Sequence, residues 1–108
     1  MRLGVLDIGS NTVHLLVADV RPGGRPLATT SRRTVLRLMR FLAPDGAIRE
    51  EGIRALEDAA AAVREMARAE RVDELLATAT SAVREATNGP EVIARIETAL
   101  RSEERRVG

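Results

Sequence analysis

Leu3-Gly4-Val5-Leu6-Asp7-Ile8-Gly9-Ser10-Asn11-Thr12-Val13-His14-Leu15-Leu16-Val17 is the stretch on which the reading of this chain turns. Leu3 to Ile8 are apolar but for one carboxylate, which suits a strand buried on both faces whose last polar residue, Asp7, emerges at the sheet edge. Gly9, Ser10 and Asn11 then make a tight turn: Gly permits positive φ, and Asn tolerates the left-handed region and bonds back to backbone. Such a turn points several amide N–H groups one way. Those amides can cradle a phosphate, the Ser10 hydroxyl can add a donor, and Asp7 can hold a hydrated Mg²⁺ or orient a water. The plainer alternative is a hairpin in which Asp-Ile-Gly is punctuation, and a D-x-G-S pattern by itself leaves both open.

Outward from that stretch, Thr12 to Val20 reads as a second strand, with Val13, Leu15 and Val17 on one face and Thr12, His14 and Leu16 on the other. His14 is the sole histidine and there is no cysteine, so no ligand set can form around it, and it reads as a structural side chain. Arg21-Pro22-Gly23-Gly24-Arg25-Pro26 is turn chemistry, and Leu27 to Leu38 reads as a third strand completing an antiparallel meander. Ser31, Arg32, Arg33 and Arg37 lie along it as a solvated face. Phe41 to Ile48, around Pro44-Asp45-Gly46, is a loop. Glu50 to Glu70 is the clearest helix: Ile53, Leu56, Ala60, Val63 and Ala67 form one stripe, Glu50 and Glu51 suit the N-terminal dipole, and Glu50 can pair with Arg54. Its charged face reads as solvated.

Val72 to Ala79 is a fourth strand, short and apolar and hence expected to be central. Thr80 and Ser81 follow it and cap a short helix through Thr87, with Arg84 in its first turn. A strand, a hydroxyl pair and a helix start form an anion site by geometry, to which Arg84 adds a planar fork of donors. A surface arginine paired with Glu85 or Asp73 is the alternative. Asn88-Gly89-Pro90-Glu91 is read as the cap of a last helix, Asn88 at the N-cap and Glu91 three residues on, with Val92, Ile96 and Leu100 packing inward.

Asp7-Ile8-Gly9-Ser10-Asn11-Thr12 with Leu15-Leu16-Val17, and later Ala79-Thr80-Ser81-Ala82-Val83-Arg84-Glu85-Ala86-Thr87-Asn88-Gly89, resemble the exopolyphosphatase and guanosine pentaphosphate phosphohydrolase family. That family lies within the actin, sugar-kinase and heat-shock-chaperone ATPase superfamily. The resemblance covers residues 1–100 and implies a ribonuclease H-like α/β fold, truncated after three antiparallel strands, one parallel strand and flanking helices. It also implies a Mg²⁺-dependent hydrolase that removes terminal phosphate from inorganic polyphosphate or guanosine pentaphosphate. Asp7 would then bind metal or water, Gly9, Ser10 and Asn11 would hold phosphate with Thr80 and Ser81 as weaker contacts, and Arg84 would face the substrate phosphates. Basic residues recur in the family's third strand, which leaves a place beside an anionic chain open for the arginines there. The whole protein would be a homodimer through later domains. The family's water-activating Glu and second phosphate loop have no counterpart among these residues, so the 108-residue chain is expected to be inactive alone. A guanosine polyphosphate sensor without turnover, or another kinase or ATPase of the superfamily, are the alternatives. The T-S-A-x-R segment argues against the latter.

Composition narrows the classes further. One Phe and no Trp or Tyr leave an aliphatic core of modest size, and the absence of cysteine leaves no disulfide framework or thiolate site. No apolar run approaches a membrane span and no signal-peptide pattern is present, so a soluble cytoplasmic protein is expected. All 17 basic residues are Arg, set against 16 acids for a net charge of +1, with no basic run and no stacking aromatics. A nucleic acid polymer is therefore not the expected partner. Arg101-Ser102-Glu103-Glu104-Arg105-Arg106-Val107-Gly108 puts a charge cluster where an apolar strand would follow, and resembles a translated sequencing adapter. Residues 101–108 are therefore expected to be a non-native tail, and 1–100 the N-terminal part of a first phosphatase domain.

Overall fold

Alternation of side chains builds the sheet. Arg2–Ile8 (β1) and Thr12–Asp19 (β2) pair antiparallel, with Asp7 opposite His14 and Ile8 opposite Val13. Leu6 and Ile8 thus share a face with Val13, Leu15 and Val17, and all five are buried. The expectation of burial on both faces of β1 is not met, because Leu3 and Val5 on the opposite face are only half-buried and Asp7 is exposed. The computed structural model describes residues 1–79 and 81–107, with side chains except at 81 and 102–107.

Leu27–Val35 (β3) adds antiparallel to β2, and Glu74–Ala79 (β4) lies parallel to β1, giving the order β3-β2-β1-β4. Three antiparallel strands with a fourth parallel to the first is the arrangement expected of a ribonuclease H-like fold. Two details differ. The third strand ends at Val35 instead of Leu38, because the amides of Leu36, Arg37 and Leu38 turn to the carbonyls of Asn11 and Ser10. Arg37 takes a left-handed conformation (φ 52°) and Leu38–Phe41 forms a 3₁₀ turn. In addition, β4 is an edge strand of the described sheet and not a central one, with Leu76 exposed.

Glu50–Ala69 (α1) places Ile53, Leu56, Ala60, Val63 and Ala67 on the buried face of the sheet, the stripe that the sequence marks. A fully buried Leu or Ile of this set contributes about 1.5–3 kcal/mol. The helix stops in a Schellman motif: Val72 N–H reaches Ala67 O at 2.9 Å and Arg71 N–H reaches Arg68 O at 3.1 Å. Arg71 is left-handed there, φ 58°. From the sheet side, Arg2 gathers the neighbouring ends, donating through its guanidinium to Asp19 and to Glu70 O, while its N–H binds the Asp73 carboxylate at 2.6 Å. The register of β4 against β1 starts from this knot.

Ser81–Arg84 (α2) is a single turn, shorter than expected, and Gly89–Val107 (α3) follows. Val92 and Ile96 of α3 are buried in the common core and Leu100 packs against it. Asn88 does not cap α3 with its side chain. Its amide accepts from Ile48 N–H at 2.9 Å and donates to Ile48 O at 3.0 Å, tying the Phe41–Ile48 loop to the start of α3 across 40 positions of sequence. Nor is the charged face of α1 merely solvated. Arg95 of α3 forks onto Glu50 at 2.8 Å and Glu57 at 3.0 Å, alongside the expected Arg54–Glu50 pair at 3.4 Å. The backbone of α3 continues through Val107, into the segment expected to be a tail.

Candidate phosphate site

The β1–β2 turn is held by its own backbone and by the chain that follows β3. Gly9 N–H closes the hairpin on Thr12 O at 2.8 Å, so this amide is spent inside the turn and is not a free phosphate donor. Neither Gly9 nor Asn11 takes positive φ, contrary to the turn geometry expected. A Cβ at Gly9 would meet Thr12 O at 3.2 Å, a tight contact that a larger residue relieves only by a small shift of the turn. The carbonyls of Ser10 and Asn11 accept from Leu38, Leu36 and Arg37, which turns them away from any anion. Among the described residues the amides of Ser10 and Asn11 have no backbone acceptor, leaving two donors and the Ser10 hydroxyl at the tip.

Asp7 stands at the carboxyl end of β1, exposed, where the parallel partner strand brings Thr78 alongside. The Thr78 hydroxyl lies 3.4 Å from Asp7 Oδ1 and 3.5 Å from Leu6 O. Sequence reading missed Thr78, although strand alternation within Glu74–Ala79 and a parallel register against β1 suffice to find it. The row Arg33, His14, Asp7, Thr78 crosses all four strands in register. His14 is half-buried within that row.

Arg84 ends α2, exposed, and lines a groove of ≈ 320 Å³ with Ile8, Thr78, Ala79 and Ile96. The Glu85 or Asp73 pairing raised as its alternative is not made among the described residues. Asp7 and the Ser10–Asn11 tip lie at the carboxyl end of β1, the end of a parallel pair at which ligands of open α/β sheets bind, and the groove that Arg84 lines includes Ile8, Thr78 and Glu97 but not Asp7, Ser10 or Asn11. Thr80 lies outside the described residues, as does the side chain of Ser81.

Among the described residues no three His, Cys, Asp or Glu side chains converge as a metal site. One exposed carboxylate with hydroxyl neighbours still fits Mg²⁺, which is commonly held by one or two carboxylates and completed by substrate phosphates and water. Nor is any described helix long and apolar enough to cross a membrane.

No family model matches the chain. Exopolyphosphatase 1 of Mycobacterium tuberculosis is 44% identical over 96 residues, covering 89% of this chain, and that of Mycobacterium leprae is 43% identical. Among solved structures, an exopolyphosphatase from Cytophaga hutchinsonii superposes with a TM-score of 0.83 at 32% identity over 93% of this chain. An Aquifex aeolicus Ppx/GppA phosphatase gives 0.82 at 25% identity. The chain spans 28% of the length of those curated relatives and 32–33% of those two structures. By sequence it is a homologue of the exopolyphosphatases, and by fold a structural neighbour of the Ppx/GppA phosphatases.

Proposed function

We propose that this chain forms the phosphate-recognition part of a phosphohydrolase that removes terminal phosphate from inorganic polyphosphate, with guanosine pentaphosphate as the second candidate substrate. What supports the reading is the pinned turn: two free amides and a hydroxyl at Ser10–Asn11 beside the Asp7 carboxylate, in a chain homologous to exopolyphosphatases.

The reaction is in-line attack of water on a phosphoanhydride, in which positioning and charge neutralisation carry most of the catalysis. The amides of Ser10 and Asn11 hold oxygens of the terminal phosphate, with the Ser10 hydroxyl as a further donor. Arg84 offers a planar fork to the same group and balances charge that develops on it. Asp7 is the residue to hold Mg²⁺, which when bound would neutralise phosphate charge, and the Thr78 hydroxyl lies beside its carboxylate at 3.4 Å. The base that activates water is assigned to the further length of the longer relatives, so the 108-residue chain binds without turnover.

The test is phosphate release from polyphosphate and guanosine pentaphosphate by the longer protein carrying this segment, wild type against Arg84→Ala. Loss of one transition-state contact of this kind costs about 10²–10³ in kcat. Release that survives Arg84→Ala unchanged removes Arg84 from the site. Binding of guanosine pentaphosphate with no release by wild type replaces the hydrolase by a sensor.

A further inference from the structure

The described sheet has an edge at β3 and an edge at β4, and only the first is blunted. β3 carries Arg32 and Arg33 at successive positions and pairs with β2 through a register shift at Val17/Ala18. Charge and a bulge are what keep an edge strand from pairing with another chain. β4 reads Glu74-Leu75-Leu76-Ala77-Thr78-Ala79, with one charge at its start, no proline and an unbroken register against β1. Leu76 on it is 46% exposed.

Residue parity shows which backbone groups this edge leaves over. Met1 and Val20 exchange both of their backbone bonds, and Gly9 N–H closes on Thr12 O. Such pairs alternate in an antiparallel ladder, so Leu3, Val5 and Asp7 turn their N–H and C=O to β2, while Gly4, Leu6 and Ile8 turn theirs to β4. In the parallel register those groups take Glu74, Leu76 and Thr78, in line with the Thr78 hydroxyl lying 3.5 Å from Leu6 O. Leu75, Ala77 and Ala79 therefore point their N–H and C=O away from the sheet, with no backbone partner among the described residues. Nor does α3 close over them: Ala77 lines a groove with Ile93, Ile96 and Leu100, and a second groove with Leu75 and Leu100.

We propose that β4 is a dimerisation strand, pairing antiparallel with β4 of a second copy of this chain about a two-fold axis at Ala77. A two-fold axis makes an edge strand its own partner. Centred on Ala77, it sets Ala77 against Ala77 and Leu75 against Ala79, so that each outward N–H and C=O meets its complement and the four-stranded sheet continues into its copy. Leu76 falls opposite Thr78 of the second copy, on the face away from the helices. Charge agrees with this direction. The amino end of each β4, with Glu74, runs beside the carboxyl end of the other, where Arg84 lines the groove with Thr78 and Ala79. Glu74 and Arg84 are both exposed, and neither makes an ion pair among the described residues.

The test is sedimentation of the 108-residue chain over a wide range of concentration, with amide hydrogen exchange read on the same samples. The mass should rise toward twice the 11.7 kDa of one chain. As it does, exchange at Leu75, Ala77 and Ala79 should slow by about tenfold or more, whereas Glu74, Leu76 and Thr78 are protected at every concentration. Ala77→Pro removes an outward N–H that β1 does not use, a substitution edge strands tolerate, and should hold the chain monomeric. Leu76→Lys should do the same by charge while keeping every backbone group. Leu27→Lys, on the β3 edge, should leave the dimer intact. A wild type monomeric at every concentration overturns the proposal, and so does a dimer that survives Leu76→Lys, the variant that decides if Ala77→Pro fails to fold. Protection of Leu75, Ala77 and Ala79 in a monomer gives the edge to another segment of the same chain, and growth into fibres gives it to a head-to-tail contact; either result also overturns it.

Discussion

Arg71 and Arg37 are the non-glycine residues with positive φ among those described, and they are there for different reasons. Arg71 occupies the position of a Schellman motif that glycine usually fills, and its neighbours' hydrogen bonds are made by backbone alone. Glycine there would keep those bonds and lose the clash between Cβ and carbonyl. Arg71→Gly is thus expected to raise stability by about 1 kcal/mol, read as a higher midpoint in urea, after the entropy that glycine adds to the unfolded chain is subtracted. An unchanged or lower midpoint would show that the arginine side chain contributes something the structure does not reveal. Arg37 has no such local excuse: its conformation follows from the tie to Asn11, so strain sits beside the candidate phosphate turn, as it commonly does at ligand-binding sites.

At the level of elements, the joint between the Phe41–Ile48 loop and α3 depends on one side chain. Asn88 satisfies both the N–H and the C=O of Ile48, a residue 2% exposed, in a partly buried pair of bonds. Removing that amide leaves two backbone groups without partners, at a cost of about 1–3 kcal/mol. Asn88→Ser distinguishes this role from helix capping. Serine is as good an N-cap as asparagine, so a capping residue would tolerate it. Since serine cannot bridge both Ile48 atoms, Asn88→Ser is expected to lose as much stability as Asn88→Ala in chemical denaturation, and recovery by serine would return Asn88 to the capping role. The same contrast separates α1's two kinds of ion pair: the pair with Arg54 is local and readable from spacing, whereas the fork from Arg95 joins residues 45 positions apart.

Taken as a whole, the molecule carries its pH dependence on carboxylates that meet arginine only once folded. Arg2 beside Asp19, chiefly by hydrogen bonding, holds that carboxyl below its ordinary 3.8, and Arg95 holds Glu50 below its ordinary 4.5. A carboxyl whose folded value lies below its unfolded value contributes stability that is complete above the unfolded value and is lost as the pH falls through the folded one. Stability should therefore be level near neutrality and decline through and below pH 4.5. The raised values of Arg2 and Arg95 add no pH dependence in this range, because both remain charged. Asp19→Asn with Glu50→Gln should flatten the acid limb of denaturation midpoints measured against pH; an unaltered limb would assign the acid sensitivity to other carboxylates.

What the sequence determined by itself was what repeats at short range or sits in a compact motif. Alternation in Val13 to Val17 set the buried face of β2, the stripe from Ile53 to Ala67 set that of α1, and the Asp7-to-Thr12 motif placed the turn. Those signals survive because a period of two or of 3.6 reports which side of an element faces the core, whatever the core contains. Only the tertiary structure decided where β3 stops, that Gly9 N–H is consumed by Thr12, that Thr78 stands beside Asp7, and that Asn88 and Arg95 act at a distance. In each of these a polar group chooses between a local partner and one brought near by folding. A backbone amide or guanidinium is satisfied equally well by either, so local pattern carries no record of the choice.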